Sequence, residues 1–385
     1  MLSEFGFWLC LSLLFYIYVG YPVCAFLLAL VLARDVRKAD FAPTVSVVIS
    51  AFNEDLEIER TVINKLKQEY PPERLDVIVV SDGSTDETDA IVQSIAKSAA
   101  GRVKLLRQEP RQGKTEAINL AMTHAAGDIV VFADANSIYA PGAVRSMVRN
   151  FADPSVGYVT GRMVYTNPTD SGIGEGSGRY MSYENLLRAL ETKLGSIVGV
   201  DGGIDAIRRT LYVPMRPDQL PDFVQPLGII EQGKRVVYES DALVHEQALA
   251  SPTDEFRMRV RVSLRALWAL YDKRVLFNPF RYRLFAWQLL SHKLLRYLAF
   301  VPLLGLIVFN GLISGQHLFY ACFFVLQLAA YAFAGLGHLL RRSTAKASSL
   351  LTPYYFVILN AACLVASWRF LNGQKMVLWK PRAGA

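Results

Sequence analysis

Residues 7–32 (FWLCLSLLFYIYVGYPVCAFLLALVL) carry no charged side chain, and the run exceeds the roughly 20 residues an α-helix needs to cross a bilayer. Backbone N–H and C=O groups at that depth find no water, so such a segment folds as a helix that satisfies them internally. Apolar stretches recur near 297–313, 318–340 and 352–368, whereas 44–250 alternates short apolar runs with charged turns, as a water-facing domain does. The expected organisation is an N-terminal transmembrane helix (1–33), a soluble domain (44–250), a basic amphipathic interfacial region (251–296), C-terminal transmembrane helices (297–371) and a tail (372–385), with about four spans in all.

A signal peptide is the rival reading of the first segment. It fits poorly, because no basic leader precedes the run and its length exceeds the usual apolar core of about 7–15 residues. Arg34, Arg37 and Lys38 follow the first span directly and nothing basic precedes it. The positive-inside rule therefore places the soluble domain in the cytoplasm and the chain in the inner membrane as a multi-pass protein. Arg341, Arg342 and Lys346 fit a second cytoplasmic return. Arg369, Lys375, Lys380 and Arg382 disagree: they lie outside if the last segment spans, so either that segment is re-entrant or the count is off by one.

Cys10, Cys24, Cys322 and Cys363 all sit in apolar segments without metal-type spacing, which points to packing rather than to a disulfide framework. Residues 254–296 hold ten Arg/Lys against three acids, a surplus of +7 that equals the net charge of the whole chain. The stretch abuts a membrane segment and carries no nucleic-acid-binding signature. Membrane lipid headgroups or the phosphate of a lipid-linked acceptor are the expected partners, and nucleic acid is not.

Within the soluble part, strands are expected at 45–50, 76–81, 103–106 and 128–133, with helices at about 56–69, 86–98 and 114–125. Near-continuous apolar strands joined by helices indicate an α/β fold with a mostly parallel sheet buried on both faces. Ligands of such sheets bind beyond the carboxyl ends of the strands. There the sequence offers Phe52-Asn53-Glu54-Asp55, then Asp82-Gly83-Ser84-Thr85-Asp86, then Asp134-Ala135-Asn136. Carboxylates at three sheet ends suit a nucleotide with a divalent cation. The bland reading is that these residues cap the following helices, as Ser84 and Asp86 are placed to do.

In this order the segments resemble the inverting family 2 glycosyltransferases with the GT-A fold. The similarity is to membrane-bound enzymes that make exopolysaccharides, cellulose-like polymers, hyaluronan or poly-N-acetylglucosamine. It covers about 45–270 well and the membrane layout more loosely. The resemblance implies that Glu54 of SVVISAFNED contacts the nucleoside and that Asp82 of VVSDGSTDET binds the base or ribose. It also implies that Lys114 of RQGKTEAINLAM lies near the diphosphate. FADANS takes the place of the Asp-x-Asp motif, so Asp134 and Asn136 would hold Mg²⁺ or Mn²⁺, the amide as an uncharged ligand. His245 is a candidate third ligand, although a lone His is more often structural.

By the same resemblance VGVDGGIDAIRR supplies acceptor-side Gly202 and Gly203, and Asp222 of LPDFVQPLGIIEQG is the catalytic base, with Pro221 where the family often has an acid. The Gln-x-x-Arg-Trp signature is degenerate: its best placement gives Met258, Arg261 and Val262, with Trp268 two turns later as a substitute ring or an interface anchor. Loss of the Trp leads to the expectation that one copy adds one or a few sugars, and that polymerisation needs a homodimer or a partner export component. The expected activity is inverting transfer of a hexose or N-acetylhexosamine, from a UDP-sugar, to a glycan or lipid-linked acceptor. The alternative is a non-catalytic membrane scaffold that binds nucleotide sugars and regulates a partner synthase.

Overall fold

The structure, a computed structural model, describes residues 1–166, 172–246, 252–340 and 348–377. Arg341, Arg342, Lys346, Lys380 and Arg382, which bear on the expected topology, lie outside the described residues. The soluble part is built on one sheet of strands β1 (Val45–Ala51), β2 (Leu75–Ser81), β3 (Val103–Arg107), β4 (Ile129–Asp134), β5 (Ile138–Tyr139), β6 (Val156–Tyr165), β7 (Ile204–Arg208) and β8 (Arg235–Glu246). Their order across the sheet is β3-β2-β1-β4-β7-β6-β8-β5. The strands β1 to β4 and the helices Ile58–Leu66, Thr88–Ser98 and Lys114–Met122 fall where the apolar periodicity puts them.

β1, β2 and β4 are buried on both faces because alternate residues serve two cores, while the edge strand β3 is only partly covered. Val47, Ile49, Val77, Val79 and Val131 join the cluster that holds Val62, Val92 and Val144. Val48, Ile78, Val80, Val130 and Phe132 join the opposite one with Ala117, Ile118, Leu227 and Ala266. β3, β2, β1 and β4 run parallel. β6 and β8 also pair parallel, so among the described residues four of the seven strand pairings are parallel, as expected of a mostly parallel sheet; β7 pairs antiparallel with β4 and β6, and β5 antiparallel with β8. The first run of parallel strands therefore stops at β4, the kind of place, at the carboxyl ends of the strands, where ligands of open α/β sheets bind.

Among the described residues three helices are long and apolar enough to span a membrane: Leu2–Leu32, Leu318–Gly337 and Pro353–Leu371. A fourth candidate is the pair Pro279–Tyr297 and Phe300–Ile313, bent by 59°. The first helix runs antiparallel to that pair. Tyr16 Oη lies 2.7 Å from Ser291 Oγ and accepts from Trp287 Nε1 at 2.8 Å. Phe309 covers Gly6, and Cys10 Sγ meets Gly305. Tyr320 donates to Glu4 at 2.8 Å, closing the end away from the sheet with the amphipathic ring chemistry usual at a membrane boundary.

The tail is where charge pattern and span count disagree in the sequence. Lys375 Nζ lies 2.5 Å from Asp218 Oδ2, and Trp268 Nε1 donates to the Gln374 carbonyl at 2.8 Å. The chain after Pro353–Leu371 thus returns to the soluble domain rather than leaving on the opposite side. The basic residues Arg369 and Lys375 conflict with the count of spans in the sequence, and the contact with Asp218 agrees with the charges rather than with the count. A chain stripped of its four cysteines and given Arg34→Cys or Asn372→Cys is expected to react with an impermeant maleimide from one face of sealed vesicles. Gln316→Cys, between the second and third apolar segments, is expected to react from the other. Labelling of Asn372→Cys and Gln316→Cys from the same face would refute this arrangement.

Candidate active site

The pairings of Ala51 with Ser81 and of Ser50 with Asp134 bring the ends of β1, β2 and β4 to one edge. The antiparallel match of Ala133 with Ile204 lays the segment entering β7, Asp201–Gly203, over the end of β4. The match of Tyr165 with Glu246 brings the end of β8 to the same edge. The order of the strands, rather than nearness in sequence, assembles these groups.

At the centre stands Lys114, the first residue of its helix. Its Nζ lies 2.7 Å from Asp134 Oδ1 and 3.4 Å from both oxygens of Asp222. Burial pushes the Lys114 pKa down, but Asp134, Asp222 and Asp205 together raise it further than burial lowers it, so the ammonium is retained. Asp222 lies in the first turn of the helix Pro221–Glu231, whose N-cap is Leu220. Asp222 is therefore a first-turn acid and not the cap, at the end where a helix favours negative charge. Pro221 at the first helical position forfeits only an N–H that has no intrahelical partner, so it is compatible with the placement of Asp222.

Gly202 and Gly203 take φ of +76° and +74°, a region open to glycine. A Cβ on Gly202 would stand 3.0 Å from Asp222 Oδ2, and one on Gly203 would stand 2.7 Å from Glu246 Oε1 and 3.8 Å from Asp134 Oδ2. The glycines let these carboxylates approach the backbone. Beneath them the Gly203 carbonyl accepts from Tyr139 Oη at 2.9 Å, and Lys65 donates to the Ser137 carbonyl at 2.5 Å. Burial brings the Lys65 pKa down to about 7, against the opposing pull of Glu246 and Asp134. Asp205, also wholly buried, has its pKa raised by burial and by the charge of Asp222.

Asp82 sits differently from an open nucleotide ligand. It is fully buried, and its carboxylate accepts from Gln108 Nε2 at 2.6 Å, from the Gln112 N–H at 2.8 Å and from the Gly113 N–H at 3.0 Å. It fixes the loop that launches Lys114. Glu54 lies at the mouth beyond β1, its N–H bonded to Thr88 Oγ1 at 2.9 Å. Beside it Arg111 stacks on the Phe52 ring, 3.5 Å from the centroid. Asp86, one residue before the N-cap Glu87, accepts from the Thr88 N–H, and Ser84 accepts from the Asn53 N–H, so neither caps the helix Thr88–Ser98.

Asn136 lies partly exposed in the turn after β4. Among the described residues no group of three His, Cys, Asp or Glu side chains is placed to hold a metal ion. His245 follows the strand alternation to the face away from Gly203, and its neighbour Glu246 takes the place beside Asp134. Arg261 lies partly exposed on the helix Pro252–Asp272. It is Arg265, one turn on, that is buried and reaches Thr115 Oγ1 at 3.3 Å and the Gln219 carbonyl. Neither Glu246 nor Arg265 was singled out by motif. The signals that could have found them are the two-residue period of β8 and the four-residue period of that helix.

The model of the family "Glycosyl transferase family 2" matches residues 46–212. Those residues form a glycosyl transferase family 2 domain. The chain is 29% identical over 169 residues to the beta-monoglucosyldiacylglycerol synthase of Nostoc sp., a match covering 43% of this chain and 36% of that protein. It is 29% identical over 171 residues to the poly-beta-1,6-N-acetyl-D-glucosamine synthase of Staphylococcus aureus, covering 44% and 40%. The chain thus spans about two fifths of the length of these relatives. Among solved structures, the mannosyltransferase PcManGT from Pyrobaculum calidifontis, in complex with GDP-Man and Mn²⁺, superposes with a TM-score of 0.75 at 23% identity, over 97% of this chain and all of that one. The likeness establishes a GT-A-like fold for the family 2 domain together with its apolar helices.

Removing the Asp82 carboxylate strands buried N–H donors at the root of Lys114. Asp82→Ala is expected to cost about 2 kcal/mol, read in detergent as a fall of about 4–8 °C in the thermal midpoint. Asp82→Asn, which keeps one acceptor oxygen, is expected to fall by less.

Proposed function

We propose that this protein transfers a sugar, with inversion, from a nucleoside-diphosphate sugar to a glycan or lipid-linked acceptor at the membrane. The observation that carries the reading is the line Asp134–Lys114–Asp222 at this edge of the sheet, with both carboxylates within 3.4 Å of one ammonium. Asp222 is the base that takes the proton from the acceptor hydroxyl, and Gly202 beside it leaves room for a sugar ring. Lys114 and the positive end of its helix receive the diphosphate. Glu54, with Phe52 and Arg111, receives the nucleoside, while Asp82 holds the Lys114 loop from beneath.

A divalent cation fits the donor set: Asp134 and Asn136 offer hard oxygen ligands, and the surrounding carboxylates leave negative charge in excess. When bound, Mg²⁺ or Mn²⁺ neutralises charge on the departing nucleoside diphosphate. Lys114 already holds one oxygen of Asp134, so the residues of the site favour a cation that arrives with the diphosphate, the anion drawing the ammonium aside. Gly203 and Arg261 serve the acceptor side in this scheme, with Arg265 bracing the loop before Asp222.

Purified protein incubated with a panel of UDP- and GDP-sugars and a membrane extract is expected to release nucleoside diphosphate from one donor. Asp222→Asn is expected to keep donor binding and lose about 10²- to 10⁴-fold in transfer, since an amide takes no proton. A rate within threefold of wild type would place the base elsewhere. Mn²⁺ binding, followed by electron paramagnetic resonance without turnover, is expected to be weak alone, to strengthen with nucleoside diphosphate, and to vanish in Asp134→Ala. Binding that persists in Asp134→Ala would remove Asp134 from the metal site.

A further inference from the structure

The tail that returns from the last apolar helix ends against the loop that delivers the candidate base. Lys375 Nζ is 2.5 Å from Asp218 Oδ2 and stands over the Trp268 ring, 5.0 Å from its centroid. Trp268 donates to the Gln374 carbonyl at 2.8 Å and packs against Phe370 at the end of that helix, with ring centroids 4.6 Å apart. The indole is thus engaged on its N–H by the tail and on its faces by Phe370 and Lys375.

The loop has further anchors. Arg216 bonds Asp272 at 2.5 Å, and Gln219 Nε2 bonds the same carboxylate at 3.0 Å. The Gln219 carbonyl accepts from Thr115 Oγ1 at 2.9 Å and from Arg265. Thr115 is the residue after Lys114, and Asp222 follows Gln219 by three residues. Tail, interfacial helix and diphosphate helix therefore meet on Arg216–Gln219, just before Asp222.

We propose that Trp268 and Lys375 are positioning residues: the post-membrane tail clamps the loop Arg216–Gln219 and so sets the place of Asp222 relative to Lys114. The catalytic role of Asp222 is taken from the function proposed above; the clamp itself is read from contacts that do not depend on it. An isolated exposed ion pair contributes little. Here the pair is one strut of a network, and its product is placement. A displacement of about 1 Å at a reacting group costs up to roughly 10²-fold in rate.

The test uses the full-length protein in lipid. Lys375→Glu, which sets two carboxylates together at Asp218, is expected to lower kcat about tenfold and to leave the donor KM within about twofold, because the diphosphate side is held by other residues. Lys375→Arg, which keeps the charge and the stacking on Trp268, is expected to retain the wild-type rate. Hydrogen exchange gives a readout independent of activity: amides of 214–220 are expected to lose protection in Lys375→Glu and to keep it in Lys375→Arg. An unchanged exchange pattern in Lys375→Glu, or a fall in kcat matched by an equal rise in donor KM, overturns the clamp. If no donor supports transfer by the wild type, the proposed function fails while the exchange experiment still decides the clamp.

Discussion

One ammonium organises the site. With Lys114 in place, the carboxylates of Asp134 and Asp222 share a cation between them and tolerate each other. Without it, the site would hold neighbouring negative groups with the buried Asp205 behind them, and burial makes such repulsion costly. The surrounding chain serves this arrangement. Asp82 gathers the N–H groups of Gln112 and Gly113 so that the helix starts at Lys114, and Leu220 caps the helix that brings Asp222. Two helix N-termini then face one small volume, and their dipoles add to the field that an anionic diphosphate would meet.

The sheet supplies the stage by changing direction. Parallel strands carry their loops to one edge, and the antiparallel β7 brings the glycine pair back over that edge. The hydrogen bonds from Tyr139 Oη and Ser137 Oγ to the Gly203 carbonyl tie the turn after β4 to the glycine pair before β7, and Lys65 braces that turn through the Ser137 carbonyl. Buried polar groups of this kind are expensive when unpartnered and rigid when satisfied. They join two loops that lie far apart in the chain.

A second polar cluster connects the sheet to the apolar helices. Glu184 and Glu191 of the helix Gly172–Leu194 meet His292, with Nδ1 at 2.6 Å from Glu191, while Arg296 pairs with Glu184 and Tyr21 donates to Glu191. Arg188 on the same helix bonds Asp201, the residue before Gly202, at 2.6 Å. Burial works against the Glu184 charge, yet Arg296, Lys293 and His292 hold its pKa well below the usual carboxylate range. Ion pairs this deep add little net stability, but removing one member leaves a stranded charge. Their effect is to fix orientation: the loop before Gly202 and the first apolar helix are braced by one face of one helix.

The first four strands, the helices between them and the apolar segments were legible in the sequence, because periodicity and turn chemistry are local properties. Glu54, Asp82 and Asp134 stand where the pattern of the parallel strands stops, whereas Lys114 and Asp222 were singled out by the family resemblance alone; the structure brings Lys114 within 3.4 Å of both Asp134 and Asp222. What each residue faces was decided by tertiary structure. His245 and Glu246 are equal candidates in the sequence, and only the phase of β8 in the sheet turns Glu246 toward Asp134. Arg261 and Arg265 differ by one helical turn, and only packing buries the second beneath the loop before Asp222. Asp82 reads as an open carboxylate until the loop 108–113 closes around it. In the sequence the basic tail conflicts with the count of spans, and only its contacts with Asp218 and Trp268 show which side it takes. Sequence records the repeat of an element and the chemistry of its residues; the rotation of a strand or helix about its own axis, and the pairing of segments remote in the chain, are set by the packing of the whole fold.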